Sequence, residues 1–261
     1  MHAGYRWLAP TLTAQSKIAL IVGANSAIAR TIARRLSAQG YALLLMARDE
    51  PRLKAFICEL QRDGATVLES FVVDLCAYRQ AEAVFADLGL RFRCIELALI
   101  CHGMMRTNTD CHADFEQFRA SVETNFCSVA WCMQKAFALL RGQAGAELVV
   151  LSSVSGDRGR ARNYFYGSTK AAINTFAAGM RMENRGCGVN IVCVKPGPVA
   201  TPMGTVASRG RWMSTDVDTV ARIICASLGR GKHTVYVPGF WRYLMWIVRC
   251  LPESLLFRLH V

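Results

Sequence analysis

No uninterrupted run of about twenty apolar residues occurs in this chain, so a transmembrane helix is not expected. Nor is there any Lys/Arg block. The basic residues behind a formal net charge of +12 are spread along the 261 positions. That spread argues against nucleic acid as the partner and leaves an anionic membrane surface or a phosphorylated ligand. The eleven cysteines contain no CxxC, and the pairs Cys101-His102 and Cys111-His112 lack zinc-ligand spacing, so no metal is expected. Most cysteines lie in apolar runs, as buried free thiols do, which implies a reducing, cytoplasmic setting. No small-residue cleavage site follows the first apolar run, IALIVGA, and no signal peptide is expected. Internal repeats, low-complexity segments and linkers are missing too. With charged residues at 19% and hydrophobic ones at 52%, the chain reads as one folded domain rather than a disordered one.

What is present is alternation. KIALIVGA has the length and composition of a buried strand, and SAIARTIARRLSAQG follows with helical spacing and Gly40 at its end. YALLLMAR, TVLESFVVDL, ELALICHG, AELVVLSSVSG, VNIVCVKPG and TVYVP read as further strands. EPRLKAFICELQRDG, QAEAVFADLG, FEQFRASVETNFCSVAWCMQKAFALL and YFYGSTKAAINTFAAGMRMEN read as helices. This alternation predicts an α/β fold: a Rossmann-like, doubly wound parallel sheet with helices on both faces, in three layers. Residues 1–16 form an N-terminal arm, 17–239 the domain itself, and 240–261 a hydrophobic, aromatic and basic tail.

Between the first strand and helix the chain reads VGANSAIAR. A strand feeding a helix through a tight turn aims backbone N–H groups and the positive helix end at one point, as a pyrophosphate requires. Gly23 makes the turn, and Asn25, Ser26, Ala27 and Ile28 carry the approaching backbone. Ala27 and Ala29 stand where a glycine-rich loop has its second and third glycines, and a purely structural turn explains the segment equally well. At the tip of the second strand, Ala47 is followed by Arg48, a residue suited to a 2′-phosphate, which favours NADP(H). Asp49, Glu50 and Ser26 keep NAD(H) open, and Arg48 is also readable as a solvated loop charge. Asp74, before Leu75 at the tip of the third strand, is placed to accept from an adenine amino group or to cap a turn.

RARNYFYGSTK holds two tyrosines, of which Tyr166 alone stands four residues before a lysine, Lys170. Residues four apart share a helix face, and a nearby ammonium is expected to pull a phenol's pKa down toward a useful range. Tyr164 has no such lysine and is expected to pack or to line a substrate cleft.

With these residues in view, the chain from Lys17 to Pro238 resembles the short-chain dehydrogenase/reductase family. Asn125 in ETNFCS, Ser153 in LVVLSSVSG, Tyr166 and Lys170 match that family's catalytic pattern in order. PGPVATPM resembles its Pro-Gly segment, where Pro196, Gly197, Val199 and Thr201 are implied to hold the nicotinamide carboxamide. The family's Asn-Asn-Ala-Gly is replaced by ICHG, which keeps Gly103 and loses amides that steady the sheet. The resemblance implies ketone reduction with a nicotinamide cofactor. In it, Ser153 binds the carbonyl, Tyr166 moves the proton, Lys170 lowers the tyrosine pKa and holds the ribose, and Asn125 orders a relay water. It also implies a homo-oligomer formed through the long helices.

Substrate choice rests on the unusual segments. GDRGRAR places Arg158, Arg160 and Arg162 near the expected site mouth, suited to a substrate phosphate or simply solvated. The tail sets Trp241, Tyr243 and Trp246 with Arg242 and Arg249 among aliphatics, as in a helix lying on the cytoplasmic face of a membrane. A helix packed over the cleft or at a dimer contact is the other reading. GDRGR, GANSAIAR and the tail together resemble the reductase subunits of decaprenylphosphoryl-ribose 2-epimerase. That likeness implies a polyprenyl-phosphate keto-sugar substrate and a flavoprotein oxidase partner. The rivals are a reductase of a lipid or small-molecule ketone and, from another class, a non-catalytic cofactor-sensing or membrane-scaffold protein.

Overall fold

The computed structural model describes residues 4–5, 17–201, 203 and 214–258. Among these, eight strands form one sheet: β1 (Gly4–Tyr5), β2 (Lys17–Val22), β3 (Tyr41–Ala47), β4 (Val67–Val72), β5 (Ile95–Ile100), β6 (Glu147–Leu151), β7 (Asn190–Pro196) and β8 (Thr234–Val237). Their order across the sheet is β1-β4-β3-β2-β5-β6-β7-β8. Strands β2 to β8 are parallel, and β1 pairs antiparallel with β4 through Gly4–Phe71 and Tyr5–Ser70. Of the N-terminal arm, Gly4 and Tyr5 are therefore a sheet edge; the rest lies outside the described residues.

The period of two along each strand divides the core. Ile18, Leu20 and Val22 of β2, with Ala42, Leu44 and Met46 of β3, face one side. There they meet α3 (Tyr78–Arg91), α6 (Ser128–Leu140) and α7 (Tyr164–Glu183). Ala19 and Ile21, with Leu43, Leu45 and Ala47, face the other side. That side is covered by α1 (Ala27–Ala38), α2 (Glu50–Arg62) and α8 (Val217–Ser227). Strands buried on both faces read as continuous apolar runs, and each fully buried Leu or Ile contributes about 1.5–3 kcal/mol.

Two features position the site. The strand order reverses between β2 and β5, and in an open parallel sheet ligands bind in the crevice beyond the carboxyl ends of such strands. Gly23 leaves β2 and Cys101–Gly103 leave β5 at that point. Next, the long helix expected over residues 115–140 is three pieces: α5 (Phe115–Val122), a π-helical turn Glu123–Cys127, and α6. A short α4 (Asn108–Ala113), capped by Thr107 and Asp110, precedes them. The tail forms α9 (Trp241–Cys250) and α10 (Glu253–Arg258). Among the described residues no helix is long and apolar enough to cross a membrane. All eleven cysteines are free, but Cys58, Cys94 and Cys250 are exposed, against the expectation of burial. Cys58 and Cys250 occupy outward faces of amphipathic helices whose other faces supply the core.

Candidate active site

One cavity of about 1160 Å³ runs from the β2–α1 turn across the ends of β3, β4 and β5 to the start of α7 and α9. At one end Gly23 has φ +87°, and a Cβ there would meet the His102 backbone nitrogen at 2.6 Å. Only glycine serves this turn. Its N–H donates to Met46 C=O at 2.9 Å, which ties the turn to β3. Ser26 is the N-cap of α1 but makes no side-chain capping bond, so the helix N-terminus opens toward the cavity lined by Asn25, Ser26, Ala27 and Ile28. Asn25 donates to Asp49 C=O at 2.8 Å, while its Oδ1 is buried without a partner. These features fit a pyrophosphate dinucleotide. Arg48 is mostly exposed, 3.9 Å from Asp74, whose other oxygen accepts from Cys76 N–H at 3.0 Å. Leu75 lines the same wall. Arg30, Arg34 and Arg52 line it too and were not anticipated, although Arg30 and Arg34 stand one helical turn apart on the first helix. Both pair with Glu59 and lie over the Phe56 ring.

At the other end Ser153, Tyr166 and Lys170 face the cavity together. Ser153 Oγ accepts from Ser155 N–H at 3.1 Å, and the adjacent Ser152 hydroxyl is turned away, donating to Asn174 Oδ1 at 2.7 Å. Gly156 and Gly167 let the turn after Ser153 press onto α7: a Cβ on Gly156 would meet the Lys170 backbone at 2.6 Å. Lys170 Nζ donates to Leu151 C=O at 3.1 Å and sits 5.7 Å from the centre of the Tyr166 ring. The expected depression of the tyrosine pKa by lysine is not what this geometry gives. Burial pushes Tyr166 up to about 12 against the pull of the Ser153 hydrogen bond. Burial also brings Lys170 down to about 8. Desolvation is the largest cause of both shifts because both groups are enclosed.

Asn125 lies in the π-helical turn, fully buried, with its amide accepting from Met104 N–H at 2.7 Å and donating to Met104 C=O at 2.9 Å. π-turns of this kind mark functional positions within helices. Each end of the amide makes one bond to the Met104 backbone, which gives this side chain a positioning role and leaves one N–H and one lone pair for the expected relay water. The amide fixes Gly103–Met104, and a Cβ on Gly103 would lie 3.1 Å from Asn125 Oδ1 and 3.7 Å from Lys170 Nζ. Beside it, Ser128 donates its hydroxyl proton to Thr124 C=O, so His102 Nε2 must be the donor in their 2.9 Å contact. The His102 Nδ1 is left buried without a partner, and burial with the Lys170 charge lowers its pKa to about 3. His102, at the alanine position of that segment, is thus held neutral. His112 is likewise engaged, with Tyr164, and among the described residues no cluster of three metal-ligating side chains forms.

Pro196, Gly197, Val199 and Thr201 form the far wall. The indole of Trp241, at the start of α9, lies against Gly197 so closely that a Cβ would fall inside the ring. Trp241 is 4% exposed and packs with Met245 and Val154, which carries the tail over the cleft. Two expected substrate contacts lie elsewhere. Tyr164, two positions before Tyr166 and so on another helix face, stays out of the cavity; its hydroxyl meets His112 Nε2 at 2.7 Å. Arg158 reaches toward Glu253 at 3.8 Å rather than into the cavity. Arg160 and Arg162 do line it. Asp157, readable from sequence as a turn former, is instead a buried anchor that binds Lys195 at 2.5 Å and accepts from the Tyr236 hydroxyl at 2.7 Å.

An uncharacterized oxidoreductase encoded in the mprA 5′ region of Streptomyces coelicolor is 36% identical over 246 residues, covering 93% of this chain and 95% of that protein. One from Mycobacterium tuberculosis is 29% identical, with 90% of this chain and 93% of that protein covered. Among solved structures, an actinorhodin polyketide ketoreductase with NADPH superposes at a TM-score of 0.76 with 22% identity, covering 87% of this chain and 97% of that one. An alcohol dehydrogenase from Thermococcus sibiricus complexed with 5-hydroxy-NADP gives 0.73 and 25%, covering 85% and 95%. The short chain dehydrogenase family model matches residues 17–212, and the chain belongs to that family of oxidoreductases.

Proposed function

We propose that this protein reduces a ketone to a secondary alcohol with NADP(H), and that its substrate is a keto-sugar carried on a polyprenyl phosphate. The observation that carries the reading is one cavity holding both a pyrophosphate-type turn at Gly23 and the Ser153, Tyr166, Lys170 group. When bound, the nicotinamide supplies the hydride. Asn25, Ser26, Ala27 and Ile28 hold the pyrophosphate end; Pro196, Gly197, Val199 and Thr201 hold the nicotinamide end. Arg48, with Arg30, Arg34 and Arg52 around it, supports the 2′-phosphate and hence NADP(H) over NAD(H). The ketoreductase and alcohol dehydrogenase neighbours, solved with NADPH and 5-hydroxy-NADP, support the same choice.

In reduction, Ser153 donates a hydrogen bond to the carbonyl oxygen as negative charge develops there. Tyr166, protonated throughout the neutral range, gives that oxygen its proton. Lys170, with a pKa of about 8, is the group that restores it in this reading. Asn125 keeps the Met104 backbone, and with it Gly103, in place beside Lys170.

The lipid-linked substrate is supported by α9. Trp241 and Met245 anchor that helix, leaving Phe240, Tyr243, Trp246 and Ile247 outward with Arg242 and Arg249 flanking them. A stripe of aromatics and arginines suits peripheral contact with an anionic membrane. A keto group on such a lipid arises by oxidation, which makes a flavoprotein oxidase the natural supplier, and the short-chain fold suits a homo-oligomer. The test is NADPH and NADH consumption with purified protein and membrane lipid extract, against soluble ketones. Turnover confined to soluble ketones removes the lipid-linked substrate.

A further inference from the structure

Arg160 lines the cavity a few residues from Ser153, and its only hydrogen bond among the described residues runs from Nη2 to the Ser155 hydroxyl at 3.1 Å. That hydroxyl also accepts from Asn163 Nδ2 at 3.1 Å. The Arg160 Nε is buried and has no partner. No ion pair joins this guanidinium to a carboxylate among the described residues. Asp157, three positions away in sequence, is committed to Lys195, Asn174 and Tyr236, and Glu253 lies against Arg158. Arg162 lines the same wall, close enough for its charge to oppose that of Arg160. Asp157 attracts the Arg160 guanidinium but is committed to Lys195 and makes no ion pair with it, so this part-buried cation beside a like charge is costly unless a ligand supplies a further anion. Two guanidinium forks match the oxygens of a phosphate.

We propose that Arg160 and Arg162 form an anion subsite in the substrate half of the cavity that holds a phosphate ester of the ketone substrate. The subsite rests on the reductase reading for its role but not for its detection. Asp157 is its positioning residue: with one oxygen on Lys195 of β7 and the other on Tyr236 of β8, it fixes the loop that presents Arg160.

The test is calorimetric titration of phenyl phosphate, farnesyl phosphate and acetate, at matched ionic strength, into protein saturated with NADPH. Saturation keeps the probes out of the 2′-phosphate end. Both phosphate esters are expected to bind at one site, with acetate at least about tenfold weaker. Arg160→Gln should weaken phosphate binding about tenfold or more, Arg162→Gln less, and Arg160→Lys should recover part of the loss. The Lys variant, checked for an unchanged melting temperature, separates loss of charge from loss of folding. Tighter binding of farnesyl than of phenyl phosphate assigns the phosphate to a lipid, and equal binding to a soluble ester; both keep the subsite. Phosphate binding indifferent to Arg160→Gln overturns it, as does acetate binding equally well or NADPH affinity falling in step with phosphate. If NADPH itself fails to bind, the cofactor reading falls, and phenyl phosphate titrated alone still tests Arg160 through the same variants.

Discussion

Lys170 carries its ammonium into a site where burial brings its pKa down to about 8, from an ordinary value of 10.5. Between those values the unfolded chain holds the proton and the folded one does not, so stability rises with pH across that window. Below about pH 8 the penalty is present in full, on the order of 3 kcal/mol. Lys170→Met is therefore expected to raise the melting temperature at neutral pH while abolishing turnover, which differential scanning calorimetry beside an activity assay checks. His102 shows the same sign at lower pH. With a folded pKa of about 3 against 6.5, it destabilises the protein progressively as pH falls below 6.5. His102→Asn should flatten the melting temperature between pH 3 and 6.5. Tyr166→Phe should lose about 10²–10⁴-fold in turnover and keep cofactor binding. Tyr166, Lys170 and Ser153 were legible because their spacing is local to one helix or one strand end. The protonation states were not, since they depend on enclosure by β6, the Met104 segment and α7, which no spacing records.

The strands β2 to β8 were readable because burial on both faces makes each a continuous apolar run. The π-helical turn at Asn125 was not: one extra residue in a helix leaves the apolar pattern on both sides intact. Helix α8 escaped the sequence reading, although Asp216 caps it and Val220, Ala221 and Ile224 keep helical spacing. The tail was divided in sequence between a membrane helix and a lid, and α9 has a face for each. Its inner face gives an element-level prediction. Gly197→Ala forces a methyl into the Trp241 indole, which should cost about 1–3 kcal/mol by overpacking and displace α9 from the cleft. Denaturant melts and the near-ultraviolet signal of the tryptophan check this; an unchanged spectrum would mean that α9 does not depend on the contact.

Across the whole molecule, some of the residues behind the +12 charge gather at two places. Arginines line both ends of one cavity, and Arg242 and Arg249 stand on α9 among exposed aromatics. The outer face of α9 predicts binding to anionic vesicles that weakens with salt, because exposed charges are screened over about 10 Å at 0.1 M. Trp246→Ser with Tyr243→Ser should abolish co-sedimentation without lowering the melting temperature, since these side chains are 67% and 71% exposed. The central claim is that the Gly23 turn and the Ser153, Tyr166, Lys170 group act on one ketone through one cavity. The most direct measurement follows deuterium from NADPH labelled at the nicotinamide C4 into the alcohol product, with wild type and Tyr166→Phe run on the same ketone-containing lipid extract. The account predicts a deuterated secondary alcohol from the wild type and none above background from the variant. An unlabelled product, or equal labelling by both proteins, would contradict it.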